Sequence, residues 1–298
     1  MQWIGRRQST NVEDRRGMSG GGKAALGGGG ILVAVLAIYS MFSGNDTSFL
    51  QNLVSGLNGG GSAPTEQREL TAEEQNQQAF IKTVLADTED VWGQIFQQSG
   101  QQYQNPHLVI FSGQTQSECG GADAAVGPFY CPVDMTVYFD MDFFNELKTR
   151  FGAKMRNQVD GEQGDFAVAY VIAHEIGHHV QNLLGTSTQE QRLAQRARSE
   201  EEANKYSVAL ELQADFYAGI FTYADNKINN MLQPGDIEGA ISAAQAVGDD
   251  AIQSRMQGYV VPESFTHGTS DQRVYWFKKG YESGNPSLGS YETILKSI

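Results

Sequence analysis

Cysteine is scarce in this sequence. Its 298 residues include 2 cysteines, Cys119 and Cys131, and no C-x-x-C motif, so cysteines alone cannot build a zinc site. A lone pair 12 positions apart, in a segment rich in Gly and Pro, is typical of one disulfide that closes a loop in an exported domain. Two buried free thiols are the alternative, which a cytosolic location would favour.

Basic residues are also in short supply. Lys and Arg total 21 against 35 Asp and Glu, so the formal net charge is −14. Nucleic-acid binding depends on clustered Lys and Arg that contact phosphates. The sequence therefore predicts that nucleic acid is not a partner. The hydrophobic content of 40% is enough for one large domain or two modest ones.

Charged residues are absent from Ala24 to Asn45, and the stretch from Ile31 to Phe42 is almost continuously apolar. About 20 residues of low polarity are enough to span a membrane, and glycine is tolerated in such helices. The sequence therefore predicts a single-pass transmembrane anchor. A cleaved signal peptide is disfavoured, because no clear small-x-small cleavage site follows Tyr39. A buried core helix is the other alternative.

The orientation of this anchor follows from its flanks. Basic residues outnumber acidic ones before Ala24, as Arg6, Arg7, Arg15, Arg16 and Lys23. The positive-inside rule then predicts a cytoplasmic N-terminus and a body on the other side of the membrane, periplasmic or extracellular. The predicted segments are a basic cytoplasmic tail (1–23), a transmembrane anchor (24–45), a flexible Gly-rich linker (46–64) and a folded domain (65–298).

The spacing of apolar residues in the folded domain predicts a mainly helical α+β fold with a small sheet. Thr71 and Glu74 form a capping box, which starts a helix. Thr136–Asp140 is predicted as the edge strand of the sheet, beside which an extended peptide would bind. The further predicted elements are a strand at Leu108–Phe111 and helices at about Phe166–Leu183, Glu190–Asp225 (with one interruption), Asp236–Met256 and Ser270–Gly280.

The motif His174-Glu175-x-x-His178 lies inside the first long helix. Histidines at positions i and i+4 share one helical face, so both imidazoles can reach one Zn²⁺ at about 2.1 Å. Glu175 directly follows the first ligand and can take a proton from zinc-bound water, as in zinc peptidases. His179 points away from the ligand face and is predicted at the surface or behind the ligands.

This chemistry needs a third ligand, because a catalytic zinc usually has three and keeps a fourth place for water. The second long helix offers Glu211-Leu212-Gln213-Ala214-Asp215, in which Glu211 would bind the metal. Asp215, one turn on, would accept a hydrogen bond from a ligand imidazole. An E-x-x-x-D pair alone is more typical of a solvated helix face. Its apolar neighbours and the H-E-x-x-H motif 33 residues upstream favour the metal site.

With these motifs the chain resembles the bacterial neutral zinc metallopeptidases, which are membrane-anchored and carry H-E-x-x-H followed by an E-L-Q-A-D segment. The likeness extends over nearly the whole chain. Its further matching segments are Asn11–Arg16, Gly127–Pro132 and Thr266–Ser270. The resemblance implies a zincin-like domain in the gluzincin arrangement: His174, His178 and Glu211 bind one zinc per chain, and Glu175 is the catalytic base.

The segment Thr266–Arg273 is similar to the T-H-P-x-x-x-x-R stretch of membrane-linked gluzincins, with Gly268 in place of the proline. Peptide hydrolysis builds an oxyanion, and a donor aimed at it contributes about 2.7–4 kcal/mol. His267 and Arg273 are candidates for that donor. Alternatively, His267 has a structural role, and Arg273 holds Asp215 or a ligand carboxylate. The sequence leaves these alternatives open.

Together these residues predict a zinc-dependent peptidase whose substrate is a peptide or protein. A zinc-containing adaptor or scaffold without peptidase activity is an alternative from another class. The intact Glu175 disfavours the adaptor, because a structural metal site needs no base. A zinc amidase that acts on cell-wall peptide is a third possibility within the same chemistry.

Overall fold

The computed structural model describes residues 1–16, 69–123, 127–141, 143 and 166–298. The predicted anchor (24–45) and the predicted linker (46–64) lie outside these residues. Among the described residues, no helix is long and apolar enough to cross a membrane.

The first described helix, α1 (Ala72–Gln98), begins at the predicted capping box. The Thr71 hydroxyl accepts a hydrogen bond from the backbone N–H of Glu74 at 3.2 Å, and the Glu74 carboxylate accepts one from the backbone N–H of Thr71 at 2.8 Å. These contacts satisfy two backbone donors that a helix start otherwise leaves without partners. The buried face of α1 carries Phe80, Leu85 and Trp92, so the helix packs into the core.

A four-stranded sheet precedes the long helices, in the order β1-β2-β6-β5. Strands β1, β2 and β6 are parallel, and β5 pairs antiparallel with β6. These strands are β1 (Val12–Asp14), β2 (His107–Phe111), β5 (Phe129–Cys131) and β6 (Thr136–Asp140). A separate hairpin joins β3 (Gln114–Ser117) to β4 (Gly120–Asp123).

Strand β6 is buried along its whole length, because β2 and β5 flank it on both sides. The strands at Leu108–Phe111 and Thr136–Asp140 are therefore confirmed, but the prediction that Thr136–Asp140 forms an edge is wrong. The edges of the sheet are β1 and β5. A short apolar run indicates a buried strand without indicating how many neighbours it has.

The first 16 residues belong to the folded body. Met1 and Trp3 are 0% and 5% exposed and lie in the main hydrophobic core, and Val12 pairs with Leu108 in the sheet. The predicted boundary, which placed the start of the folded domain at residue 65 and a separate tail at 1–23, is wrong for this segment. The charged strand β1 lacks the apolar alternation by which a strand is predicted from sequence.

The remaining helices surround a long central one, α4. They are α2 (Phe166–Leu184), α3 (Thr186–Ala194), α4 (Glu200–Asn229), α5 (Asp236–Ala246), α6 (Asp249–Gln257), α7 (Ser270–Ser283) and α8 (Tyr291–Leu295), with 3₁₀ turns at Pro262–Ser264 and Pro286–Gly289. Helix α4 packs most extensively against α7 and α2. The mainly helical α+β class is confirmed, including the interruption between α3 and α4.

The predicted single helix Asp236–Met256 is instead two helices, α5 and α6, separated at Val247 and Gly248. A Cβ on Gly248 would lie 2.5 Å from the backbone nitrogen of Ser270. The backbone N–H of Asp249 donates to the carbonyl of Gly268 at 2.9 Å. The break therefore lets the start of α6 meet the loop that leads into α7.

Candidate metal centre

Helices α2 and α4 bring three side chains of metal-binding chemistry together. His174 and His178 lie one turn apart on α2, and Glu211 faces them from α4. The Nε2 atom of His174 is 3.2 Å from Glu211 Oε2, and the Nε2 atom of His178 is 3.4 Å from Glu211 Oε1. All three ligand atoms lie within 4.8 Å of one another.

These separations suit a zinc ion. Two ligands bound at about 2.0–2.1 Å in a tetrahedral site are about 3.3 Å apart, which matches the observed 3.2 and 3.4 Å. The donor set of two imidazoles and one carboxylate is one that catalytic zinc sites use. Among the described residues, His174, His178 and Glu211 form the group of His, Cys, Asp or Glu that fits a metal ion.

The orientation of His174 is fixed by Asp215, one turn after Glu211. The His174 Nδ1 atom lies 2.9 Å from Asp215 Oδ1, and Asp215 is fully buried. Because a carboxylate only accepts hydrogen bonds, Nδ1 carries the proton. The Nε2 atom then faces Glu211 and the metal position, where it can bind a metal once it has lost its own proton. This is the role predicted for Asp215 from sequence.

Asp215 is itself held by two further donors. The Arg273 side chain contacts it through Nε at 2.8 Å and through a terminal nitrogen at 3.1 Å, and the Tyr170 hydroxyl donates to it at 2.5 Å. Of the two alternatives for Arg273, the contacts favour holding Asp215 over donating to an oxyanion. Tyr170 was not predicted, although it lies one turn before His174 on the same helix.

A parallel arrangement holds His178. Its Nδ1 atom lies 2.9 Å from the side-chain oxygen of Gln181, and the Gln181 amide donates to the carbonyl of Leu210 at 2.6 Å. The amide group thus presents its oxygen to the histidine, so His178 Nδ1 donates and Nε2 keeps its lone pair for a metal. Gln181 was missed from sequence; its position three residues after His178 was the available signal.

The charged groups around the site shift the pKa values of its residues in the direction opposite to the shift caused by burial. Burial lowers the pKa of His174, but Asp215 and Glu211 outweigh it and raise the pKa to about 10. Burial raises the pKa of Asp215, but Arg273 and His174 outweigh it and lower the pKa to about 2. The pKa of Glu211 is well below its usual value, because His178 and His174 outweigh burial. A metal ligand must be deprotonated, so zinc binding would release a proton from His174.

The chain is similar to known proteins over most or all of its length. A family described as "Putative neutral zinc metallopeptidase" matches residues 1–290. The chain belongs to this family. Protein YpfJ of Escherichia coli (strain K12) is 43% identical over 309 aligned residues, which cover 100% of both chains. Protein Mb2605 of Mycobacterium bovis is 46% identical over 195 residues, or 62% of each chain. No solved structure matches the chain.

The family match confirms the resemblance inferred from the motifs, and its name implies zinc. The names of the relatives state neither a substrate nor a reaction. The matched range also starts at residue 1 and so includes the segment that forms β1.

Glu175, the candidate base of this zinc metallopeptidase family member, is 7% exposed on the buried side of α2. Burial raises its pKa, and the two neighbouring histidines, His174 and His178, act in the opposite direction. The carboxyl group therefore lies within the electrostatic field of both candidate ligands. Glu175 directly follows His174 on α2.

His267 lies in the loop before α7, with half of its side chain exposed. Its Nδ1 atom is 3.1 Å from Asp249 Oδ1, while Asp249 Oδ2 accepts hydrogen bonds from the backbone N–H groups of Thr266, His267 and Gly268 at 2.7, 2.6 and 3.1 Å. Burial lowers the pKa of His267, but Asp249 and the charge of Glu211 outweigh it and raise the pKa. The charge of Glu211 thus favours the protonated imidazole.

His179 is not a surface residue, because it is 0% exposed. Its Nε2 atom lies 2.7 Å from the carbonyl of Gln104 and therefore carries the proton, so Nδ1 accepts from the Tyr130 hydroxyl at 2.9 Å. Burial lowers the pKa of His179 to about 4, which keeps the ring neutral. His179 thus joins the edge strand β5 to the back of α2.

Cys119 and Cys131 form the predicted disulfide. Cys131 is the last residue of β5 and is fully buried. The disulfide therefore ties the turn of the β3–β4 hairpin to β5. This is the same edge strand that Tyr130 attaches to α2. The Tyr130 hydroxyl holds β5 beside the helix of the candidate metal site, and the disulfide holds β5 to the hairpin.

Proposed function

We propose that the protein is a zinc-dependent peptidase in which a glutamate general base activates the attacking water. The observation that carries the proposal is the convergence of His174, His178 and Glu211, with both Nδ1 positions held by hydrogen-bond acceptors. A site prepared in this way binds metal without reorienting its ligands. One zinc ion per chain is expected. When bound, zinc polarises a carbonyl group and lowers the pKa of its water.

Residues of the chain supply the proton transfers. Glu175 accepts a proton from the attacking water at its carboxylate and delivers it to the nitrogen of the leaving amine. His267 donates to the oxyanion that develops on the attacked carbonyl. Asp249 supports this role, because its carboxylate accepts from His267 Nδ1 and favours the protonated imidazole, in which Nε2 also carries a proton to donate. Arg273 keeps Asp215, and through it His174, in position.

An extended substrate would bind beside β5 in a zincin-like fold. Strand β5 is an edge of the sheet, and the contact between Tyr130 and His179 places it next to α2. Backbone groups of an edge strand are free to pair with an added peptide strand. This assignment replaces the sequence-based choice of Thr136–Asp140, which lies between two strands.

The protein's compartment is part of the same proposal. The disulfide between Cys119 and Cys131 favours an oxidising location outside the cytoplasm. The uncharged segment from residue 24 to 45 favours attachment to the inner membrane. The substrate would then be a peptide or protein on the periplasmic or extracellular side.

Metal analysis and peptide-library cleavage of the purified full chain test the proposal. Glu175→Gln should retain zinc and lose about 10²–10⁴-fold in hydrolysis, because the base is removed and the ligands are not. Glu201→Gln, on the exposed start of α4, is the matched control and should retain full activity. A zinc-loaded wild type that cleaves nothing, together with full complementation of a deletion strain by Glu175→Gln, would favour the adaptor. Cleavage of cell-wall peptide alone would favour the amidase.

A further inference from the structure

The N-terminal residues make specific contacts with the body from which the predicted membrane segment separates them. Strand β1 pairs with β2 in parallel register, Val12 with Leu108 and Asp14 with Ile110. The backbone N–H of Leu108 donates to the backbone carbonyl of Asn11 at 2.9 Å, and the backbone N–H of Arg15 donates to the backbone carbonyl of Ile110 at 2.7 Å. Paired strands lie about 4.8 Å apart, whereas the hydrocarbon layer of a membrane is about 30 Å thick.

Arg6 adds a buried electrostatic contact. One of its terminal nitrogens lies 2.8 Å from Asp87 on α1 and 2.8 Å from Asp225 on α4, and these carboxylates are 4% and 0% exposed. Buried carboxylates without a nearby cation are strongly unfavourable. The body therefore contains a site built for the arginine of the N-terminal segment.

The other arginines of this segment have partners too. Arg7 pairs with Glu89 and Asp90 of α1, and Arg16 donates to the backbone carbonyl of Glu74 at 2.9 Å. Ser9 donates to Glu89 at 2.7 Å. Arg15 pairs with Glu13 at 2.9 Å. Contacts within the fold therefore account for Arg6, Arg7, Arg15 and Arg16 among the basic residues that favoured a cytoplasmic N-terminus, whereas Lys23 lies outside the described residues.

We propose that residues 1–16 and the body from residue 69 onwards lie on the same side of the membrane. A chain that crossed the membrane once between Arg16 and Glu69 would separate β1 from β2 and Arg6 from its carboxylates. This topology replaces the predicted one, in which the N-terminus is cytoplasmic and the body is outside. It does not depend on the peptidase proposal, because neither β1 nor Arg6 contacts the metal centre.

Cysteine labelling of the full chain in spheroplasts tests the topology. Gln8→Cys and Asp271→Cys place single thiols on exposed positions of the N-terminal segment and of α7. Both should react with a membrane-impermeant maleimide before lysis and to the same extent. Reaction of Asp271→Cys before lysis, with Gln8→Cys reacting only after it, would overturn the proposal. If both react only after lysis, the shared side stands and the body's location outside the cytoplasm fails.

A cross-link provides a second measurement in case Gln8→Cys is unreactive even after lysis. Glu13 and Val109 are partners in the register of β1 and β2, so Glu13→Cys with Val109→Cys should form a disulfide under mild oxidation in membranes. Val109→Cys with Asp271→Cys is the control and should not. Failure of the Glu13→Cys and Val109→Cys pair to form a disulfide in these oxidised membranes would overturn the proposal.

Discussion

Gly177 of the H-E-x-x-H helix packs against Ala214 of α4 so closely that a Cβ on Gly177 would lie 2.9 Å from the Ala214 Cα atom. Each of these residues is flanked by site residues: Gly177 precedes His178, and Ala214 precedes Asp215. The distance between the two helices at this point therefore determines whether the histidines reach Glu211.

Gly177→Ala tests this close contact. The added methyl group should push α2 away from α4, destabilise the protein by about 1–3 kcal/mol and lower its zinc content. Zinc content by atomic absorption and unfolding by denaturant are the measurements. Gly93→Ala is the matched control, because nothing lies within 4 Å of its added Cβ in the middle of α1. Equal zinc content in the two variants would show that the contact does not control the site.

Gln181→Ala tests the acceptor that holds His178. Removal of its side-chain oxygen leaves His178 Nδ1 without its 2.9 Å partner, so the imidazole can rotate and change tautomer. We expect zinc affinity to fall by about 10–100-fold, as for other outer partners of metal ligands. Competition with a chromogenic chelator measures the affinity. Gln189→Ala, on the exposed face of α3, should leave it unchanged; an equal loss in both variants would contradict the assigned role.

The convergence of the candidate ligands could be predicted from sequence because helical spacing alone determines which side chains share a face. His174 and His178 required no knowledge of the fold, and Glu211 required only that a second helix pack against the first. The partners Tyr170 and Gln181 lie on the same helix as the histidines and were also within reach of this reasoning. Asp249 was not, because its contact with His267 depends on how a loop and a helix start meet in space.

The N-terminal segment shows a different limit of sequence reasoning. Strand β1 has 3 residues, of which Glu13 is exposed, so its pattern resembles a charged tail. Its partner β2 lies far along the chain, beyond the apolar segment. Pairing between distant short strands leaves little local signal, and the arginines favoured a membrane interpretation because their carboxylate partners were equally distant in sequence.

His267 and Asp249 should act as a unit in catalysis. His267→Ala should lower kcat by about 10²–10³-fold, as for loss of one oxyanion donor, with a smaller effect on KM and no change in zinc content. Asp249→Asn, which keeps acceptor oxygen but not the charge, should retain more activity than Asp249→Ala. The effects of His267→Ala and Asp249→Ala should not add in the double variant. Additive losses would assign Asp249 a separate, structural role.

Removal of the N-terminal segment should destabilise the rest of the fold. A chain that starts at Thr65 lacks β1 and Arg6, which leaves Asp87 and Asp225 buried without their shared cation. Loss of one partner from a buried ion pair typically costs about 3–5 kcal/mol, and less below the raised pKa of Asp87, where that carboxyl is protonated. The matched control keeps residues 1–16 and joins them to residue 69 through a flexible Gly-Ser linker. The thermal unfolding temperature of this control should be close to that of the full chain, whereas that of the chain starting at Thr65 should be lower. Equal unfolding temperatures of the two shortened chains would contradict the structural role of the segment.

The carboxylate pair around Arg6 should make stability depend on pH. Burial and the neighbouring Asp225 raise the pKa of Asp87 to about 8, although Arg6 opposes them. A carboxyl whose pKa is raised on folding stabilises the protein fully below its unfolded pKa, and this contribution is lost as pH rises through the folded pKa. The free energy of unfolding should therefore fall between about pH 4 and pH 8.

Asp87→Asn should flatten that slope, so that the variant gains stability relative to wild type as pH rises. Urea unfolding at pH 5 and pH 8 measures both slopes, with Asp271→Asn as an exposed control that should follow the wild type. A wild-type slope that persists unchanged in Asp87→Asn would place the titrating group elsewhere.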